Sequence, residues 1–264
     1  MPPTSHPLTY DVLIVGAGPA GMIAAEHTAL AGLKVAVADA MPSPARKFLM
    51  AGKSGLNLTK HESTAAFIKN YDAIERLRPM LEEFGPKEVI NFAQNLGQEV
   101  FTGSTGRVFP KVMKASPLLR TWLSHQESLG VTFLCRHRWM GPLVIGKTHS
   151  FETPTGEVKI QAKTLILAMG GTSWARLGSD GAWSKHFTQA GVAQSEFVAA
   201  NVGMQVAWSE HMGPHFGKPL KNIKLSVAGE QSRGEFVISQ SGIEGGAVYA
   251  LGRTLRKNTL AKLD

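Results

Sequence analysis

Three glycines and one carboxylate carry the clearest chemical signal in this sequence. Gly16, Gly18 and Gly21 stand in the run Val15-Gly16-Ala17-Gly18-Pro19-Ala20-Gly21, and Asp39 follows about 20 residues on. Each glycine has a distinct use at such a turn. Gly16 permits a tight reversal, Gly18 lets main chain approach a pyrophosphate, and Gly21 lets a helix pack closely on a strand. A helix opening at Pro19 would offer free N–H groups and its positive dipole end to phosphate oxygens. Asp39 could accept hydrogen bonds from the two ribose hydroxyls and would repel a 2′-phosphate. The chemistry this predicts is binding of an adenine dinucleotide. A glycine turn in some other α/β protein is the alternative, and the flanking elements decide between them.

Those elements have the required order. Val12 to Val15 is apolar and β-branched, as in a strand buried on both faces. A small-residue helix follows, then a second strand over 34–39. Further on, residues 46–59 mix basic, glycine and amide residues without a period, which predicts a loop with a short helical turn. Gly52-Lys53-Ser54 lacks the preceding glycine and strand of a P-loop. Residues 63–97 read as helices broken at Pro79 and at Gly85-Pro86, and 102–111 as a second polar loop. Ser116-Pro117 predicts a cap and first position for a helix to about Gln126, before a strand over 131–135. Arg136 to Trp139 continues extended, with the arginines on one face. A small meander over 141–160 precedes a buried strand over 163–171 that ends in Gly170-Gly171, at the ligand edge of an open sheet. A helix follows near 182–190. Beyond Gln194 short strand-like pieces alternate with polar turns, with a helical stretch near 246–257. The expected division is a Rossmann-like domain over 1–194 and a β-rich domain over 195–264.

The chain of 264 residues is long enough for a sizeable core. Its net charge of +8 suits an anionic partner, although no lysine run or arginine-rich tail focuses that charge. The single cysteine, Cys135, rules out an intramolecular disulfide and a redox dithiol, and reads as a small hydrophobe in a strand. The first nine residues lack a basic segment followed by an apolar core, and glycine, proline and charged residues interrupt the apolar stretch over 12–32. The expectation is a cytoplasmic protein with no membrane partner. His211 and His215 are four apart, but Gly213-Pro214 between them argues against a helix and against a metal pair, so no metal is expected.

Several longer blocks resemble one family. Arg46 to Thr59, Gly106 to Leu123, Arg136 to Trp139, Leu167 to Trp183 and Pro219-Leu220-Lys221 occur in the order of the HI0933-like bacterial flavoproteins, which are NAD(P)/FAD-dependent oxidoreductases. The resemblance implies an α/β fold: an FAD/NAD(P)-binding Rossmann-like domain carrying an inserted, mostly β second domain. It implies FAD as the cofactor, with NAD(P)H as the possible electron donor. The cofactor-binding residues it implies are Gly16, Ala17, Gly18, Pro19, Ala20 and Gly21 in the turn, with Asp39 and Ala40 at the second strand's end. Arg46, Lys47, Gly52, Ser54, Asn57 and Thr59 follow in the loop beside the pyrophosphate and isoalloxazine. Trp139 lies in a stretch expected to pass the adenine by main-chain contact, and Ala168, Gly170 and Gly171 pack on the cofactor. Two departures stand out. Leu56 replaces the cysteine found in much of the wider family, so no thiol chemistry carries over, and Ser54 replaces the branch's usual glycine. The chain also ends short of the family's usual length, which implies that it is C-terminally truncated and that the second domain is incomplete.

The function this reading implies is an FAD-binding flavoprotein, an NAD(P)H-linked oxidoreductase reducing an unsaturated organic small molecule. Two alternatives stand beside it: a dinucleotide-binding module without catalysis, and a flavoenzyme acting on nucleic acid, specifically RNA. No general acid, substrate identity or oligomeric state follows from the sequence.

Overall fold

Alternate residues of the first apolar run bury to opposite sides. Leu13 and Val15 enter a core with Phe151 and Ile160, while Val12 and Ile14 enter another with Ala25 and Val37. A strand covered on both faces needs apolar residues at every position, which is why this run shows no polar alternation. We analysed a computed structural model that describes residues 8–51, 55–71, 74–143, 148–201, 203–257 and 262–263. The chain divides into two compact units, Met1–Ser195 and Glu196–Asp264.

In the first unit the apolar run is strand β1 (Leu8–Val15), followed by helix α1 (Pro19–Leu30) and strand β2 (Val35–Asp39). Small residues let α1 lie close to the sheet: Gly21, Ala25 and Ala29 are buried along one face. The crossover from β2 carries α2 (Arg46–Met50), β3 (Thr59–Lys60), α3 (Thr64–Ile68), α4 (Ile74–Glu83), α5 (Pro86–Asn95), β4 (Val100–Thr102), β5 (Arg107–Pro110) and α6 (Ala115–Ser128). It returns to the sheet as β6 (Thr132–Cys135). Strands β7 (Arg138–Trp139), β8 (Thr148–Thr153) and β9 (Gly156–Leu167) and helix α7 (Ser184–Gln189) complete the unit. The main sheet has the order β6-β2-β1-β9-β8-β7. β1, β2, β6 and β9 are parallel, and β8 and β7 add antiparallel strands. This is the Rossmann-like α/β architecture expected from the sequence. A smaller antiparallel sheet, β3-β5-β4, carries the helices α3 to α5.

The second unit holds an antiparallel sheet in the order β10-β13-β12-β11-β14, formed by Met204–Gln205, Gly242–Glu244, Glu230–Ser239, Pro219–Val227 and Lys262–Leu263. The short helices α8 (Gly246–Tyr249) and α9 (Gly252–Lys257) follow β13, and α8 packs Val248 into a core with Leu225, Phe236 and Ile243. The second unit is thus β-rich.

Several local expectations need correction. Pro79 lies inside α4 rather than ending it. The missing N–H forfeits one helical bond, and α4 has no buried residue, so water can take the freed carbonyl. The polar loop over 102–111 contains a strand, because Val108 and Pro110 bury while Arg107 and Phe109 point outward. Helix α6 is capped at Lys114, which places Ser116 and Pro117 in its first turn, where a proline costs no hydrogen bond. Arg136 interrupts the extended stretch with φ 56°, yet both arginines remain exposed and His137 and Trp139 face inward. The strand expected over 163–171 is the end of a longer one, β9, which leaves the sheet at Leu167. Residues Glu210–His215 form a 3₁₀ turn. Among the described residues no cluster of three His, Cys, Asp or Glu side chains could hold a metal ion, and no helix is long and apolar enough to cross a membrane.

His149 on β8 is almost fully buried, and burial lowers its pKa. The unfolded chain, with an ordinary imidazole near 6.5, takes up a proton that the folded chain resists. Its contribution to stability is therefore fully present above about pH 6.5 and is lost as pH falls through the lowered folded value. Urea unfolding at a series of pH values is expected to show this loss, and His149→Leu is expected to flatten it.

Candidate functional site

The carboxyl ends of β1 and β9 lie side by side where the sheet order changes direction, since β2 lies on the other side of β1 from β9. Open α/β sheets place their ligands in the crevice outside such ends. Here the chain leaves β1 through Gly16, with φ 104°, a conformation that disfavours any side chain. A Cβ on Gly16 would also come under 3.0 Å from the Ala168 carbonyl oxygen. A Cβ on Gly21 would meet the Gly16 carbonyl oxygen equally closely. Gly18 is different: its backbone is ordinary and a Cβ there would meet nothing within 4 Å. The space in front of Gly18 is open. The amides of Gly18, Ala20 and Gly21 lie at the start of α1, where a helix supplies no acceptor.

Asp39 closes the other side of the turn. Its Oδ2 accepts the Ala17 amide at 2.7 Å and its Oδ1 accepts the Met41 amide at 2.8 Å. Its carbonyl accepts the His137 amide at 2.8 Å, which joins the end of β2 to the stretch entering β7. The Ala45 amide donates to the Ala17 carbonyl at 2.9 Å, tying the proline-rich loop onto the turn. Each carboxylate oxygen retains acceptor capacity beyond these two bonds.

A cleft of about 350 Å³ lies against this turn, a size at the small end of ligand pockets. Gly16, Ala17, Gly18, Asp39, Ala40, Arg46, Trp139, Ala168 and Gly170 line it, as the sequence led us to expect of a binding site. Two buried side-chain donors of lining residues, Arg46 Nε and Trp139 Nε1, have no acceptor among the described residues. Buried polar groups rarely remain unpaired, so these two nitrogens mark a part of the lining that is incompletely satisfied.

Further lining residues carry no strong signal in the sequence. Arg138 donates from Nη1 to Asp180 Oδ2 at 3.2 Å. Burial pulls the Asp180 carboxyl upward, but the Ala182 amide and the Arg138 guanidinium outweigh it and hold it below the usual carboxylate range. Trp183 Nε1 donates to the Gly170 carbonyl at 3.0 Å. His186 stacks edge-on to Trp139, with ring centroids 5.2 Å apart, and burial followed by the nearby Lys185 charge lowers its pKa. The Leu167–Trp183 block marked this region, but no periodicity announced that its turn folds back over the strand ends.

Other expected residues fall elsewhere. Pro19 and Ala20 are exposed at the start of α1, and Gly21 is buried beneath the turn. Lys47 does not line the cleft, since its Nζ donates to Ser173 Oγ at 2.6 Å and Ser179 Oγ at 3.4 Å. Gly171 is outside the lining too, and its carbonyl accepts the Ser179 hydroxyl at 2.9 Å. Asn57 and Thr59 line a second pocket, because β3 pairs with β5 and carries them there. Gly52 and Ser54 lie outside the described residues. Cys135 is half-buried on β6, where burial and the Asp39 charge raise its pKa, and no thiol chemistry is called for.

The chain belongs to the HI0933-like family: the model of the HI0933-like protein Rossmann domain matches residues 10–246. Its fold is similar to that of a 3-ketosteroid-delta4-(5alpha)-dehydrogenase from Rhodococcus jostii RHA1, with 16% identity over 64% of this chain and 47% of that one, at a TM-score of 0.50. It is also similar to a flavocytochrome c3 fumarate reductase, with 22% identity over 62% of this chain and 34% of that one, at 0.50. The quinol fumarate reductase FrdA of E. coli gives 17% identity over 64% and 34%, at 0.51. The chain spans less than half the length of these structures.

The three glycines are expected to differ on substitution. Gly21→Ala should lower folding stability by about 3 kcal/mol or more, because the obstacle is main chain that cannot rotate away. Gly18→Ala should cost no more than about 1 kcal/mol, the loss of a preferred residue at a helix cap. Paired denaturant titrations of the two variants measure the contrast.

Proposed function

We propose that the first unit binds FAD by its ADP half and that the protein is an FAD-dependent oxidoreductase. The observation that carries this reading is the open space before Gly18. It lies at the amide-rich start of α1, with the Asp39 carboxylate at the end of the neighbouring strand. The residues present fit the cofactor. A pyrophosphate is a dense set of acceptors, and the turn offers unpaired amides together with the positive end of a helix. Arg46 and Trp139 add two buried donors without an acceptor among the described residues. The flavoprotein character of the family resemblance and of a similar solved structure supports FAD over a dissociable nicotinamide at this turn.

In this reading Asp39 accepts the ribose hydroxyls, and its charge excludes a 2′-phosphate. The Arg46 guanidinium balances phosphate charge. The paired rings of Trp139 and His186 line the cleft and would exclude water from a bound base. Bound FAD supplies hydride and electron transfer through its isoalloxazine ring, while the protein orients it and sets its electrostatics. We assign NAD(P)H as electron donor and an unsaturated organic molecule as substrate.

Titration of the purified chain into FAD is expected to quench flavin fluorescence saturably, and ADP is expected to compete. Gly18→Ala should weaken binding roughly tenfold, because its methyl group enters the space a phosphate needs, while the unfolding midpoint hardly moves. Anaerobic NADH or NADPH should then bleach the bound flavin. Absence of both FAD and ADP binding would sink the cofactor assignment. Flavin that binds but stays oxidised would remove the nicotinamide donor alone.

A further inference from the structure

Lys60 on β3 sits directly opposite Arg107 on β5. Like charges paired across antiparallel strands repel, so this placement costs stability unless an anion joins them. Lys60 has one: its Nζ lies 3.0 Å from Glu62 Oε2. Among the described residues Arg107 has no carboxylate partner. A guanidinium in that position presents a planar fork suited to a carboxylate held by two bonds.

Beside Arg107 opens the second pocket, of about 510 Å³, whose lining shares no residue with the nucleotide cleft. Leu58, Phe67, Tyr71, Leu81, Phe84 and Val89 give it an apolar side, and Lys60 and Arg107 place two cations in the lining. Phe67 on α3 and Tyr71 just beyond it meet edge to face, with centroids 5.1 Å apart and planes at 70°. Leu81 on α4 adds an aliphatic wall, and Phe84 remains 41% exposed at the edge. A ligand ring beside Phe67 and Tyr71 can adopt the same edge-to-face geometry that aromatic pairs prefer. The Tyr71 hydroxyl, whose pKa burial raises further above the ordinary phenol value, can donate to a bound group. The Asn57 amide lines the same space.

We propose that this pocket binds a small aromatic carboxylate, its ring among Phe67, Tyr71 and Leu81 and its carboxylate on Arg107. With Lys60 held by Glu62, Arg107 is left without a carboxylate among the described residues, which matches one negative charge, and the apolar side selects a ring over inorganic phosphate. The site is independent of which nucleotide occupies the other cleft. It also gives a role to Asn57, which the fold directs away from the glycine turn.

The test uses phenylacetate as probe and benzyl alcohol as its uncharged counterpart, with binding followed by saturation-transfer NMR on the full chain. Phenylacetate is expected to bind saturably. Arg107→Gln should weaken it roughly tenfold or more, the loss of a charge-assisted pair, and leave benzyl alcohol unaffected. Leu81→Trp, which fills the pocket from another lining position, should abolish binding of both. Arg107→Gln should unfold at no lower denaturant than the parent, since it removes a like-charge pair. Phenylacetate that fails to saturate, that binds Arg107→Gln as well as the parent, or that is displaced by ADP would overturn the proposal. Displacement by ADP would place the probe in the nucleotide cleft, while loss of FAD binding alone would leave this pocket standing.

Discussion

The first unit is organised around a contact that leaves no room for a side chain. Main chain at Gly16 lies against the Ala168 carbonyl on one side and carries the carbonyl that Gly21 approaches on the other. Three elements, β1, α1 and the end of β9, are thereby drawn together at one point. A methyl group at Gly16 or Gly21 would separate them. Protein interiors tolerate little overpacking, and least where the obstacle is backbone. The contact costs conformational entropy at each glycine, and burial of β1 and α1 on both sides of the sheet offsets it.

Once that contact exists, the remaining cleft follows by hydrogen bonds of the main chain. The Ala17 amide cannot join a helix or strand ladder at such a turn, and Asp39 accepts it. The same carboxylate accepts the Met41 amide, which sets the course of the chain after β2. The Asp39 carbonyl receives the His137 amide and so fixes where Trp139 enters the sheet. The Ala45 bond to Ala17 begins α2 beside the turn, which brings Arg46 to the cleft. A single close approach of backbone thus determines the position of side chains far apart in sequence.

This hierarchy explains what the sequence discloses. Gly16, Gly18, Gly21 and Asp39 are legible because their spacing is a local property of one βαβ unit. The parallel strands are legible because burial on both faces leaves continuous apolar runs. Arg107 to Pro110 was hidden because a four-residue strand beside Gly103 and Gly106 shares its composition with a loop. Pro79 suggested a break because local preference is read for an isolated helix, while α4 accepts one missing bond at the surface. Asn57 and Thr59 followed the motif in sequence but not in space, since the β3–β5 pairing directs them elsewhere. Arg138 and Asp180 lie about 40 residues apart and meet only after the chain folds back over the strand ends, a long-range event with no local signal.

The charges of the cleft sharpen the meaning of the basic composition. Its lining holds Arg46, Arg138 and Lys185 against Asp39, Glu152 and Asp180, an even balance of sign. Arg138 is already spent on Asp180. The chain's net charge of +8 therefore does not reside at the turn, and it cannot be what holds an anion there. In the proposed reading, attraction at the turn comes mainly from oriented dipoles, the amides at the start of α1 and the end of its macrodipole, with the Arg46 guanidinium as the local charge. Such groups act over one or two bonds and lose little to salt, unlike a diffuse basic surface. A carboxylate can stand in the same cleft without repelling the ligand, because its two amide donors already offset part of its charge. The remaining excess of positive charge is a property of the surface, where it can steer anions but does not recognise one.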